Sequence, residues 1–130
     1  MIKKHLLSLL LFSALLVSAA TAMAAGPASI AVAAEGSTPA AMISAVAARS
    51  PYFLFFDEKG DLVEAVTNPY LQVRGGAGPQ VVEFLAAKGI KTIIAGEFGA
   101  KMAGAMQTKG IAPRIATGRA ADAVKTGRGK

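Results

Sequence analysis

The sequence predicts an α/β domain, and three observations carry that reading. Short apolar runs rich in branched and aromatic residues alternate with segments of helical period. Two consecutive units repeat the order glycine turn, helix, glycine, strand, which implies parallel strands joined by right-handed crossovers. An acidic turn, Asp57-Glu58-Lys59-Gly60-Asp61, separates two further apolar runs and adds an antiparallel hairpin, so the sheet is mixed.

The elements follow in order. Ser29–Ala33 is apolar, partly branched and bounded by Gly26-Pro27 and Glu35-Gly36, the pattern of a buried first strand. Thr38-Pro39 opens a short helix, with Thr38 as N-cap and Met42, Ile43 and Val46 on one face, stopping near Arg49 because Pro51 disfavours helical geometry at Ser50. Tyr52–Phe56 and Leu62–Val66 pair across the acidic turn, and Asn68-Pro69 ends the hairpin. The stretch from Asn68 to Gly78 is long for a connection and is expected to be a functional or mobile loop. Helix Pro79–Lys88 directs Val81, Val82, Phe84 and Leu85 inward, with Gly89 stopping it before strand Thr92–Ala95. The second unit runs from helix Ala100–Lys109, burying Met102, Ala105 and Met106, through Gly110 to strand Ala112–Ala116. The methionine pair at helical spacing is read as core packing. Arg119–Lys125 makes a last short helix, and residues 126–130 are expected to form a flexible basic tail.

An address precedes the domain. A basic start at Lys3 and Lys4, an apolar run from Leu6 to Ala19 and the small-x-small site Ala22-Met23-Ala24 read as a secretory signal peptide over residues 1–24. The run is shorter than the roughly 20 residues a spanning helix needs, so export to the periplasm with no membrane span after cleavage is expected. Residues 25–28 are then a short linker, and the domain begins at Ser29. About a hundred residues remain, enough for one core and one domain.

Composition excludes much chemistry. The chain has no cysteine, and its one histidine, His5, lies in the expected leader. Disulfides, thiolate metal sites, imidazole bases and Ser-His or Cys-His nucleophilic pairs are therefore outside the domain's reach. Net charge is +6, and losing Lys3 and Lys4 with the leader lowers it to +4, a mild basicity that favours acidic ligands or surfaces. Basic and aromatic residues do not interleave, so nucleic acid is not an expected partner.

The two glycine turns, Arg74-Gly75-Gly76-Ala77-Gly78 and Gly96-Glu97-Phe98-Gly99, each feed a helix. Glycine lets backbone approach a ligand, and a helix start offers unpaired N–H groups at the positive end of the macrodipole, which suits an anion. In the bland alternative the glycines only make tight turns. Among the carboxylates, Asp57, Glu58 and Asp61 belong to the hairpin turn, Glu64 and Glu83 to solvent faces, and Asp122 to a helix's first turn. Glu97 stands out because it falls at the C-terminal end of a strand, where α/β folds place ligands.

Ile30-Ala-Val-Ala33, Arg49-Ser-Pro-Tyr-Phe53, Asn68-Pro69, the run from Gly75 to Ile90 and the run from Ile94 to Met102 together resemble the dinitrogenase iron-molybdenum cofactor-binding family, the NifX-like proteins, over about Ser29 to Lys125. The resemblance implies a ribonuclease-H-like fold of about five strands, without nuclease activity, used to hold or carry metal-sulfur clusters such as iron-molybdenum cofactor precursors. It also shows departures. Where many family members carry a histidine followed by Phe-Gly, this chain has Val46, Ala47 and Ala48 before Arg49, and where a second histidine often heads the glycine loop it has Gly75.

The leading expectation is a non-enzymatic exported protein that binds an anionic metal-sulfur cluster, or a related metal species or oxyanion, without histidine or cysteine ligands. Gly75, Gly76, Ala77 and Gly78 would supply N–H groups, Arg49, Arg74 and Lys101 charge, and Gly96, Glu97, Phe98 and Gly99 a second wall with Phe98 as apolar lid. The alternative is a module that docks on an envelope protein through the 68–78 loop and basic tail and binds no small ligand. Catalysis through Glu97 and Lys101 has the least support, since one carboxylate near one lysine is a common coincidence.

Overall fold

In a computed structural model that describes residues 26–128, alternation along the strands separates two cores on opposite faces of one sheet. The strands are β1 (Ile30–Ala34), β2 (Tyr52–Phe56), β3 (Leu62–Thr67), β4 (Thr92–Ala95) and β5 (Ala112–Ile115), in spatial order β3-β2-β1-β4-β5. β1 and β3 run antiparallel to β2, while β4 is parallel to both β1 and β5. The helices are α1 (Ala77–Ala87), α2 (Ala100–Lys109) and α3 (Ala120–Arg128).

Successive strand residues point to opposite faces. Ala31, Ala33, Phe53, Phe55, Ile93 and Ala95 join Val81, Val82 and Leu85 of α1 and Met102 and Met106 of α2. Val32, Leu54, Phe56 and Ile94 face the other way, against Ala120, Ala123 and Val124 of α3. Both methionines are buried in packing, as their spacing suggested. A mixed five-stranded sheet with helices on both faces is the expected α/β fold.

Several elements differ from expectation; β3 ends one residue later, at Thr67, and α1 and β5 end one residue earlier, at Ala87 and Ile115. The helix expected over Thr38–Arg49 does not form. Its backbone instead extends the sheet: Ser44 N–H donates to Ala33 O at 2.8 Å, Gly96 N–H to Ser44 O at 2.9 Å and Ala47 N–H to Glu97 O at 3.1 Å. Single bridges join Ile43 to Ala34, Met42 to Arg119 and Val46 to Glu97. These long-range bonds outcompete a helical pattern of only modest propensity, and Met42, placed on the inner face, is 54% exposed. Only Ala47–Arg49 makes a 3-10 turn, ending at extended Ser50 (ψ 140°) just before Pro51.

The first strand is Ile30–Ala34, one residue later than expected. α1 begins at Ala77, so Pro79 occupies its third position; the residue before it, Gly78, has no Cβ to clash with the proline ring. α3 runs to Arg128, past the expected end at Lys125 and into the expected tail, with the Thr126 hydroxyl donating to Asp122 O at 2.9 Å. The leader assigned to residues 1–24 and the final residues of the tail lie outside the described residues. Among the described residues, no helix is long and apolar enough to cross a membrane.

Candidate functional site

At the C-terminal ends of β1 and β4, the strap from Ser44 to Arg49 crosses in front of two helix starts. Gly96 makes that crossing possible: a Cβ there would lie 2.7 Å from Ala45 O and 2.9 Å from Ala45 Cα. Gly78 plays a similar part between helices, since a Cβ would sit 2.8 Å from Met102 Cβ. The two contacts bring the N-termini of α1 and α2 together beside the strap.

Between them lies a cleft of about 310 Å³, lined by Val46, Ala48 and Arg49 of the strap, Gly76–Pro79 of α1 and Gly99–Met102 of α2. Neither helix has a side-chain cap on its N-terminus, and neither has an acidic residue in its first turn. On α2 the first intrahelical bond runs from Ala103 N–H to Gly99 O at 2.9 Å, so the N–H groups of Ala100, Lys101 and Met102 precede any helical acceptor. Two macrodipoles, the Lys101 ammonium and the Arg49 guanidinium thus bring positive potential to one concave surface. The N-cap Gly76 takes φ 73°, a left-handed conformation that glycine adopts without steric cost.

Arg49 is tied to the 68–75 loop: Nη1 donates to Val73 O at 2.6 Å and Leu71 O at 3.3 Å, and Nη2 reaches Arg74 O at 3.5 Å. The loop's base is fixed by buried Asn68, whose Nδ2 donates to Ala48 O at 3.0 Å and Ser50 O at 2.9 Å while Oδ1 accepts from Tyr70 N–H at 2.9 Å.

The residues singled out from sequence therefore divide. Arg49, Gly76, Ala77, Gly78, Gly99 and Lys101 line the cleft. Arg74 and Gly75 are exposed on the adjoining loop. Gly96 is a packing position, Glu97 is exposed with its backbone carbonyl bonded to the strap, and Phe98 is half-buried against the core beneath α1 and α2. Sequence reasoning did not name Pro79, Ala100 or Met102 as lining; they follow once α1 starts at Ala77 and both helix starts face one space. Val46 and Ala48 also line the cleft and make its strap wall apolar. Among the described residues, no cluster of three or more His, Cys, Asp or Glu could hold a metal. The surface suits an anion held by N–H groups and cations, not a bare cation.

A larger cleft of about 480 Å³ lies between β5 and α3, lined by Arg114, Thr117, Asp122 and Thr126 among others. Asp122 already sits in the first turn of α3 and compensates that dipole from within the chain, so this cleft lacks the unanswered positive ends of the first.

The model of the family described as dinitrogenase iron-molybdenum cofactor matches residues 28–127. The chain belongs to that family. Among solved structures, the apo form of the orange protein from Desulfovibrio gigas is 26% identical, with a TM-score of 0.72 over 81% of this chain and 92% of that one. A putative NifB protein from Thermotoga is 32% identical, with a TM-score of 0.63 over 78% of this chain and 90% of that one. No curated protein matches the sequence significantly.

Proposed function

We propose that this member of the family is an exported, non-enzymatic binding or carrier protein whose cargo is an anionic metal-sulfur cluster of the iron-molybdenum cofactor type, or a related metal oxyanion. The observation that carries the reading is the convergence of two helix N-termini, both without side-chain caps or first-turn acids, on a cleft that also holds Lys101 and Arg49. Such a surface pairs with the outer atoms of an anion through charge-assisted hydrogen bonds and needs no direct metal ligand. The apolar strap wall of Val46 and Ala48 lowers the local dielectric beside those donors and strengthens each of them. Family membership supports the cargo class, and the leader-like residues 1–24 support export.

The test is metal analysis with an optical spectrum on protein purified anaerobically from its native envelope fraction, wild type against Lys101→Glu. Near-stoichiometric iron or molybdenum that is lost in the variant is the expected result. A metal-free, colourless wild type that also takes up no added molybdate would overturn the carrier reading. Salt-sensitive capture of an envelope protein by that metal-free form would then favour a docking module.

A further inference from the structure

Resting on that reading of the cleft, we infer that Arg49 is a two-sided connector that couples anion loading to the order of the 71–74 loop. A guanidinium carries five N–H donors in a fixed planar fork. The loop carbonyls of Leu71 and Val73 accept from Nη1, and that of Arg74 accepts from Nη2. What remains is Nε–H and the second Nη2–H, the side edge of the fork, which is the pair that grips an oxyanion or its sulfur analogue in bidentate fashion. Among the described residues, neither hydrogen has a partner. Arg49 also lines the cleft between the two helix starts, so one rigid group touches both the loop and the ligand space.

Tyr70 anchors the start of the loop, packed against the core and edge-on to the Phe84 ring at 6.2 Å, but the 71–74 segment beyond it has little else to hold it. Beyond the Asn68 base, its internal bonds are long, with Leu71 N–H to Asn68 O at 3.4 Å and Val73 N–H to Tyr70 O at 3.2 Å. The Val73 carbonyl contact with Arg49 is the shortest tie across this segment. An anion on the side edge fixes the guanidinium plane, and the same plane then holds three carbonyls in place. Linkage is reciprocal: loading orders the loop, and an ordered loop presents Arg49 already aimed at the anion. Lysine cannot perform this part, because its ammonium is a single point of charge without a second face.

Hydrogen exchange on the 71–75 amides, with and without molybdate as the probe, tests the coupling in wild type, Arg49→Lys, Arg49→Ala and Lys101→Gln, while equilibrium dialysis reads affinity. Wild type gains protection in the loop on loading. Arg49→Lys and Arg49→Ala lose that gain, exchange faster at 71–75 in the free state with unchanged melting of the sheet, and bind roughly tenfold more weakly. Lys101→Gln binds more weakly yet keeps the loop response at saturation. Free-state exchange in Arg49→Ala equal to wild type overturns the connector, as does an intact loop response in Arg49→Lys. Molybdate binding by wild type without any loop response overturns the coupling and leaves the cleft reading standing. No binding by wild type removes both.

Discussion

Gly96 and Gly99 stand three residues apart in one turn, yet a side chain would meet very different surroundings at each. At Gly96 a Cβ would press into the Ala45 backbone at 2.7 Å, while at Gly99 it would meet nothing within 4 Å. The first glycine turn divides the same way, with Gly78 against Met102 and Gly75 in open space. Gly99 has an ordinary extended backbone (φ −66°, ψ 156°), so neither conformation nor packing demands glycine there. Some of these glycines build the cleft and others leave it open, and only the second kind can be answering to a ligand.

Substitution by alanine separates the two kinds. Gly96→Ala has the largest expected effect, because the obstacle is backbone that also carries the Ser44–Gly96 bond. A loss of about 3 kcal/mol is expected, seen as a fall of more than about 10 °C in the melting temperature. A variant as stable as wild type would mean that the strap does not lie where Gly96 admits it. Gly78→Ala meets the Met102 side chain first, at 2.8 Å, and backbone only at 3.3 Å. A net cost of about 1 kcal/mol is expected, since overpacking is offset in part by alanine's better helix propensity.

Gly99→Ala inverts the pattern. Stability should change by no more than about 0.5 kcal/mol, a few tenths of which reflect alanine's poorer N-cap behaviour. Molybdate affinity should nonetheless fall, because the new methyl enters the space before the α2 amides. If Gly99→Ala bound molybdate as wild type does, Gly99 would not border the ligand and the division between the two kinds of glycine would lose its functional half.

The sheet and both cores were legible in the sequence because period-two alternation and period-3.6 stripes encode burial directly, as Phe53 to Phe56 and Val81 to Leu85 illustrate. The strap was not. Thr38-Pro39 is a sound helix start, and Met42, Ile43 and Val46 fit a helical face. What decides the segment is pairing with Ala33, Ala34 and Glu97, partners that local sequence does not contain. The site was half legible for the same reason. Helix starts and glycines could be read locally, but whether a glycine faces Ala45, Met102 or open space depends on contacts between distant segments.

Asp57, at the opposite end of the sheet, extends the comparison to a turn whose polar group is held by the backbone amides around it. Its carboxylate is buried and accepts N–H bonds from Asp61 and Lys59, each at 3.0 Å, at the hairpin that joins β2 to β3. Chiefly the Asp61 N–H bond, working against burial and helped by the amides of Lys59, Gly26 and Gly60, holds this carboxyl below its ordinary value of 3.8. The unfolded chain therefore takes up the proton first as pH falls. The carboxylate's contribution to stability is complete above the ordinary value and disappears as pH drops through the lowered folded value. Asp57→Asn keeps an oxygen acceptor but gives up the charge, so it should be less stable than wild type at pH 7, with the gap closing in acid. Denaturant melts of the two proteins from pH 7 down to about pH 2 read this directly. A gap that persisted in acid would mean that Asp57 acts through shape and packing, in the manner of Gly96, and that its charge adds nothing.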